Sequence, residues 1–136
     1  LEKAIRKNDP EGSFVKQIPF APSDEIIREL AAADLFLFAS SCENMPITLL
    51  EAMAAGLPIA SSDRGPMPEV LGGGGVFFDP EDPDSIAKKL CFLINNPEKS
   101  MQLALTTRDR AKKYSWQQCA TSTWALLACV ASRNLD

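Results

Sequence analysis

Two rhythms of apolar and polar positions alternate along this chain. Leu35-Phe36-Leu37-Phe38-Ala39 is a continuous apolar run, as expected of a strand buried on both faces. Leu57-Pro58-Ile59-Ala60-Ser61 and Val76-Phe77-Phe78 read the same way. Ser13 to Phe20, SFVKQIPF, reads as a further short strand closed by Pro19. Between these runs the apolar spacing becomes helical. Ile26, Ile27, Leu30 and Ala31 recur at that spacing up to Ala33, with Ser23 as the expected N-cap and Asp24 and Glu25 in the first turn. A second helix is framed by Pro46 near its start and Gly56 just past its end.

Turn signals separate the remaining elements. Asn8-Asp9-Pro10-Glu11-Gly12 closes a polar opening segment, and Ser62 to Pro68 leads into a short helix around Glu69-Val70-Leu71. Gly72 to Gly75 precedes the Val76 strand. Asp84 or Ser85 is expected to cap a helix carrying Ile86, Ala87, Leu90, Leu93 and Ile94. Asn95-Asn96-Pro97 ends that helix and starts another running to about Tyr114, and Ser115 caps a last helix with Trp116, Ala120, Trp124, Leu127 and Cys129. Strands alternating with helices predict an α/β fold, a Rossmann-like parallel sheet of about four strands with helices on both faces and a helical C-terminal tail.

The 136 residues suffice for one domain. An apolar share of 46% and a charged share of 24% are ordinary for a globular protein, and a formal charge of −4 argues against a nucleic-acid binder. Cys42, Cys91, Cys119 and Cys129 form no C-x-x-C pair and the chain has no histidine, so no zinc site is expected. Any general base must then be a carboxylate or a shifted lysine, tyrosine or cysteine. The apolar surroundings of the cysteines predict buried free thiols and a reducing, cytoplasmic compartment. No signal peptide is visible in LEKAIRKNDPEG, and the apolar stretch Trp124 to Ala131 is too short to span a bilayer.

In open parallel sheets ligands sit beyond the carboxyl ends of the strands. The loop Ser40 to Met45 lies there, and the next helix aims its N-terminus at the same place, where Ile47 and Thr48 can donate N–H groups and Pro46 cannot. Glu43 precedes this helix and Glu51 lies on it, a separation of about 12 Å of helical rise that returns to nearly the same face. Two carboxylates so placed suit the hydroxyls of one elongated ligand. By spacing alone, a solvated Glu51 and a merely capping Glu43 are the better explanation of the pair, since two glutamates eight apart are common by chance.

The wider pattern is more specific. Ala33 to Ser40, then Glu43-Asn44-Met45-Pro46-Ile47-Thr48-Leu49-Leu50-Glu51-Ala52-Met53-Ala54-Ala55-Gly56-Leu57-Pro58-Ile59-Ala60-Ser61-Ser62, resembles the donor-site core of GT-B glycosyltransferases of family 4, also called group 1. The resemblance continues through Pro68-Glu69-Val70, Gly75 to Pro80 and Tyr114-Ser115-Trp116, in the family's order, over nearly the whole chain. It identifies residues 1–136 as part of the C-terminal, nucleotide-sugar-binding domain of such an enzyme.

The resemblance implies transfer of a hexose-type sugar from a nucleoside diphosphate sugar to a sugar, lipid or glycan acceptor, with retention at the anomeric carbon, no cofactor and no metal. Glu43 matches the carboxylate that approaches the donor sugar and is the catalytic candidate. Glu51 matches the ribose contact, and Asn44, Met45, Ile47 and Thr48 match the positions whose amides meet the sugar and diphosphate. Phe20 and Ala21 match the loop that flanks the base, a core contact being the other reading of Phe20. Glu69, the glycine run and the two tryptophans read as structural, and the tail helix is expected to pack across two domains.

The family's sheet order, 3-2-1-4-5-6, places Phe14 to Ile18 as strand 3 and the Leu35, Leu57 and Val76 runs as strands 4, 5 and 6. Nothing here matches strands 1 and 2, the glycine-rich turn and Arg/Lys pair they carry, or the N-terminal acceptor domain. The chain is therefore expected to be an incomplete, marginally stable and inactive piece of a longer protein, with an apolar sheet edge and, through the missing part, contact with the inner face of a membrane. A non-catalytic nucleotide-sugar-binding or interaction module and another GT-B enzyme, such as a sugar-nucleotide epimerase, are the competing readings.

Overall fold

Strands Phe36–Phe38 (β1), Ile59–Ser62 (β2) and Val76–Phe78 (β3) pair in parallel in the order β1-β2-β3 in the computed structural model, which describes residues 2–133. The register sets Phe36 opposite Ile59 and Ala60 opposite Val76. Side chains alternate across a sheet, so this register decides which residues share a face. Phe36, Phe38, Ile59 and Phe77 turn to one side, where they meet helix α3 (Ile47–Ala55) and helix α4 (Met67–Leu71) through Leu49, Ala52, Met53, Met67, Val70 and Leu71. Ala60, Val76 and Phe78 turn to the other side and pack on Leu93, Ile86 and Leu90 of α5 (Pro83–Asn95) and Leu103 of α6 (Pro97–Ala111). The result is helix–sheet–helix layering, with both faces of the central strand β2 fully buried.

The element boundaries follow local chemistry. Gly56 ends α3 in the left-handed region at φ 78°, its N–H donating to the Met53 carbonyl at 3.1 Å while Leu57 N–H donates to the Ala52 carbonyl at 3.2 Å. This paired closure satisfies carbonyls that a helix end otherwise leaves bare. Asp82 caps α5 by accepting from the Asp84 N–H at 3.0 Å, in place of the expected Asp84 or Ser85. Ser115 caps the last helix, α7 (Trp116–Arg133), by accepting from Gln118 N–H at 3.1 Å, as the sequence predicts.

The glycine run forms one turn of 3-10 helix, Gly72–Gly74, pressed against α6. Gly72 takes φ 58°, and a β-carbon there would lie 3.0 Å from the Arg110 guanidinium carbon. The run is structural, as expected.

Four expectations are corrected. Residues 13–20 form no strand: the Ser13, Phe14 and Val15 N–H groups all donate to the buried Asp9 carboxylate, at 2.8, 3.0 and 2.7 Å, so they are withdrawn from any ladder. The sheet thus has three strands rather than about four. The polar opening segment, given no secondary structure from its sequence, forms helix α1 (Glu2–Asn8), which buries none of its side chains. Ser23 is the first residue of α2 (Ser23–Ala32), and Pro22 stands at its cap without a side-chain bond. All four cysteines are exposed, because nothing among the described residues covers the helix faces and the loop that carry them.

The tail tryptophans are exposed as well, Trp116 at 80% and Trp124 at 72%. Their apolar spacing marks a face of α7 that nothing among the described residues covers. No helix among the described residues is long and apolar enough to cross a membrane.

Candidate functional site

The loops leaving the carboxyl ends of the three parallel strands converge at one end of the sheet. The loop after β1 carries Glu43, half-buried, followed by exposed Asn44 and Met45 and by Pro46, which is fully buried. Pro46 anchors the start of α3: the Leu49 and Leu50 N–H groups donate to its carbonyl at 3.1 and 3.2 Å. The first two amides, Ile47 and Thr48, have no acceptor among the described residues, no side chain caps the helix, and its first turn holds no acid. Free amides and an unopposed helix dipole together favour an anion at this point.

Glu51 stands exposed on the same helix, while Leu49, Ala52 and Met53 on its other side fill the core. Burial of that inner face fixes the helix and hence the direction in which Glu51 and Thr48 face. Glu43, Asn44 and Met45 therefore lie on one loop, Ile47 and Thr48 at the start of the helix that follows it, and Glu51 one turn further along that helix. Phe20 and Ala21 lie in the irregular stretch before α2. Phe20 is 84% exposed, so it is no core residue; Ala21 is half-buried. This stretch is tied to α2 by Lys16 Nζ, 2.8 Å from Glu29 Oε1, which holds the lysine's pKa above its ordinary value. Among the described residues it has no hydrogen bond to the Glu43 loop.

The loop after β2 supplies what residue-by-residue reading of the sequence missed. Gly65, at φ 53°, brings its backbone to the Glu43 loop: a β-carbon on it would lie 3.7 Å from the Glu43 carbonyl oxygen. Its neighbour Arg64 bonds through Nη2 to Asp79 Oδ1 at 3.0 Å and lies through Nε 3.3 Å from Asp63 Oδ1. Asp79, in the loop after β3, accepts from the Glu81 N–H, which with the Arg64 guanidinium holds its pKa below the ordinary carboxylate range. No spacing rule joins Arg64 to Asp79; the parallel register of β2 and β3 does.

Glu69 is exposed on the first turn of α4, where an acid suits the helix dipole. A cavity of about 850 Å³ opens at the opposite, amino end of the strands, between Ala33-Asp34-Leu35, Gly56-Leu57-Pro58 and the facing ends of α5 and α6. It carries none of the candidate residues, and the carboxyl end remains the chemically equipped one.

The sequence profile described as glycosyl transferases group 1 matches residues 11–110. The chain is 30% identical over 125 residues to the O-antigen chain mannosyltransferase B of Escherichia coli, covering 90% of this chain and 32% of that protein. It is 34% identical over 107 residues to the MMP alpha-(1->4)-mannosyltransferase of Mycolicibacterium hassiacum, covering 76% of this chain and 26% of that protein. The chain thus spans about a third or less of the length of these relatives. Among solved structures, the sucrose-phosphate synthase of Thermosynechococcus elongatus superposes with a TM-score of 0.84 over 97% of this chain and 34% of that one, at 18% identity. The C-terminal domain of a group 1 glycosyl transferase from Francisella tularensis superposes at a TM-score of 0.70 over 82% of this chain and 58% of that one, at 24% identity. At those identities the likeness speaks for the fold alone, and the fold is that of a GT-B glycosyltransferase. With the family profile covering residues 11–110, most of its length, the chain belongs to the group 1 glycosyltransferases.

Proposed function

We propose that this chain is part of the C-terminal, donor-binding domain of an enzyme that transfers a hexose from a nucleoside diphosphate sugar to a sugar, lipid or glycan acceptor with retention of configuration. The observation that carries this reading is the uncapped start of α3, with the free Ile47 and Thr48 amides, beside the half-buried Glu43. Diphosphate is the leaving group, and donors aimed at its developing charge lower the barrier. Ile47, Thr48, Asn44 and Met45 meet the diphosphate and sugar. Glu51 accepts the ribose hydroxyls, and Glu43 accepts a donor hydroxyl next to the reacting carbon. Phe20 and Ala21 flank the base.

The mannosyltransferase names of two relatives favour a mannose-type hexose as the donor sugar. Acceptor recognition, the cations that neutralise the diphosphate and contact with the inner, cytoplasmic face of a membrane belong to parts of the protein outside this chain. The isolated chain is accordingly inactive.

Calorimetry of the full-length protein against UDP, GDP and ADP tests this. One nucleotide is expected to bind, and Glu51→Ala to weaken it by about 1–3 kcal/mol, the range for a hydrogen-bonding group left without its partner. A folded protein that binds none of the three refutes the donor-site reading.

A further inference from the structure

We propose that Arg64 and Asp79 are positioning residues for Glu43, an inference that rests on the donor-site reading. The three loops at the carboxyl ends of the strands, residues 39–46, 63–66 and 79–82, hold five carboxylates, Glu43, Asp63, Asp79, Glu81 and Asp82, and a single cation, Arg64. Like charges gathered on adjacent loops repel, and Arg64 is the group that opposes this.

Its contacts form a continuous chain. Asp79 is fixed by its N–H donating to Ser85 Oγ at 3.3 Å, at the start of α5, and by the Glu81 N–H donating to Oδ1 at 3.0 Å. Arg64 bonds to that same oxygen. The Arg64 backbone is turned by its N–H donating to Ser62 Oγ at 3.1 Å, and Asp63 N–H donates to the Phe78 carbonyl at 2.9 Å. Gly65 follows at once, where a β-carbon would lie 3.7 Å from the Glu43 carbonyl oxygen, so this last link is close packing rather than a hydrogen bond. Buried Pro46 holds the far end of the Glu43 loop, but ahead of it the one hydrogen bond within the loop among the described residues is a long one, Ser40 Oγ to the Cys42 carbonyl at 3.4 Å. The α5 helix thus reaches Glu43 through Asp79, Arg64 and Gly65.

An ion pair this exposed contributes little to stability. Its effect is on geometry, where a displacement of about 1 Å at a reacting group costs as much as a hundredfold in rate. The role is separable from folding for that reason.

The test compares Arg64→Gln, Asp79→Asn, the double variant and Arg64→Lys in the full-length protein. The readouts are the amide resonances of Glu43 and Asn44 and the steady-state release of nucleotide from GDP-mannose and UDP-glucose. Arg64→Gln and Asp79→Asn are each expected to shift those resonances. Each is also expected to lower kcat by about fivefold or more with donor KM within about twofold and Tm unchanged, since an interaction felt in the transition state moves kcat. The double variant is expected to be no worse than either single one, as for two ends of one interaction. Arg64→Lys, which keeps the charge, is expected to recover part of the loss. Unmoved Glu43 and Asn44 resonances, an unchanged kcat, or losses that multiply in the double variant overturn the proposal. Shifted resonances in a protein that turns over neither donor would uphold the loop coupling and refute the donor-site reading instead.

Discussion

Gly74 and Thr107 are in direct contact: a β-carbon at position 74 would stand 3.0 Å from the Thr107 backbone nitrogen and closer still to its methyl group. Both residues are buried, and the contact presses the 3-10 turn onto α6. Turning the Thr107 methyl away would still leave the backbone nitrogen at 3.0 Å, so a rotamer change alone does not relieve the crowding. Gly74→Ala is expected to cost about 1–3 kcal/mol, the range for overpacking a filled site. Gly73→Ala, one position away with open space around it, is expected to be neutral or stabilising. Urea unfolding of the two variants side by side checks this. Equal midpoints would contradict it.

Arg110 secures the end of the same turn. Its Nε donates to the Val70 carbonyl at 2.7 Å, and Nη2 donates to the Glu69 carbonyl, both at the close of α4. Arg110→Ala leaves these carbonyls with water or nothing and is expected to destabilise by about 1–3 kcal/mol. Arg110→Lys is expected to recover only part, since an ammonium lacks the planar fork that reaches two carbonyls at once. Thermal unfolding midpoints in the order wild type, Lys, Ala would agree. A Lys variant as stable as wild type would not.

Asp9 is 4% exposed, and burial alone would raise its pKa. The Phe14, Ser13 and Val15 N–H groups and the Ser13 hydroxyl outweigh that and lower it to about 2. A carboxyl depressed in the folded state contributes stability above its unfolded value, about 4, and loses it as pH falls toward the folded value. The order of residues 9–15 is therefore expected to persist at neutral pH and to fail between about pH 4 and pH 2. An NMR titration of the Phe14 and Val15 amides, with a midpoint near 2 rather than near 4, is the check.

The outer edge of β1 has no strand partner among the described residues, and Leu37 on it is 41% exposed. Unpaired strand edges with apolar side chains promote self-association, and a charge placed on them opposes it. Leu37→Lys is expected to lower self-association of the 136-residue chain without changing its helix content. Light scattering and circular dichroism of the pair decide it, and scattering undiminished by the substitution would place the sticky surface elsewhere, with the exposed tryptophans of α7 as the next suspect.

Much of this molecule was written in local pattern. The three runs at Leu35, Leu57 and Val76 became the three strands, in the adjacent order expected for strands 4, 5 and 6. Pro46 and Gly56 bounded α3, and Ser115 capped α7. These features depend on near neighbours: on what a proline, a left-handed glycine or a serine hydroxyl does to the next few residues. The group 1 family was legible for the same reason, since the residues that carry the resemblance, Ala33 to Ser62, are nearly contiguous in the chain.

Other features were decided by partners far away in sequence. Residues 13–20 have the composition of a strand, but a strand needs a ladder, and the Asp9 carboxylate took the N–H groups instead. The cysteines and tryptophans have the composition of a core, but an apolar side chain is buried only if a second surface arrives, and none among the described residues does. Arg64 reached Asp79 because β2 and β3 lie side by side in register, a relationship carried by no local spacing. By itself the sequence determined the three sheet strands, the helices between and after them, their order and the family, through short-range chemistry. Tertiary structure alone decided which faces are covered and which charges meet, because burial and long-range ion pairs exist only once separate segments have been packed together.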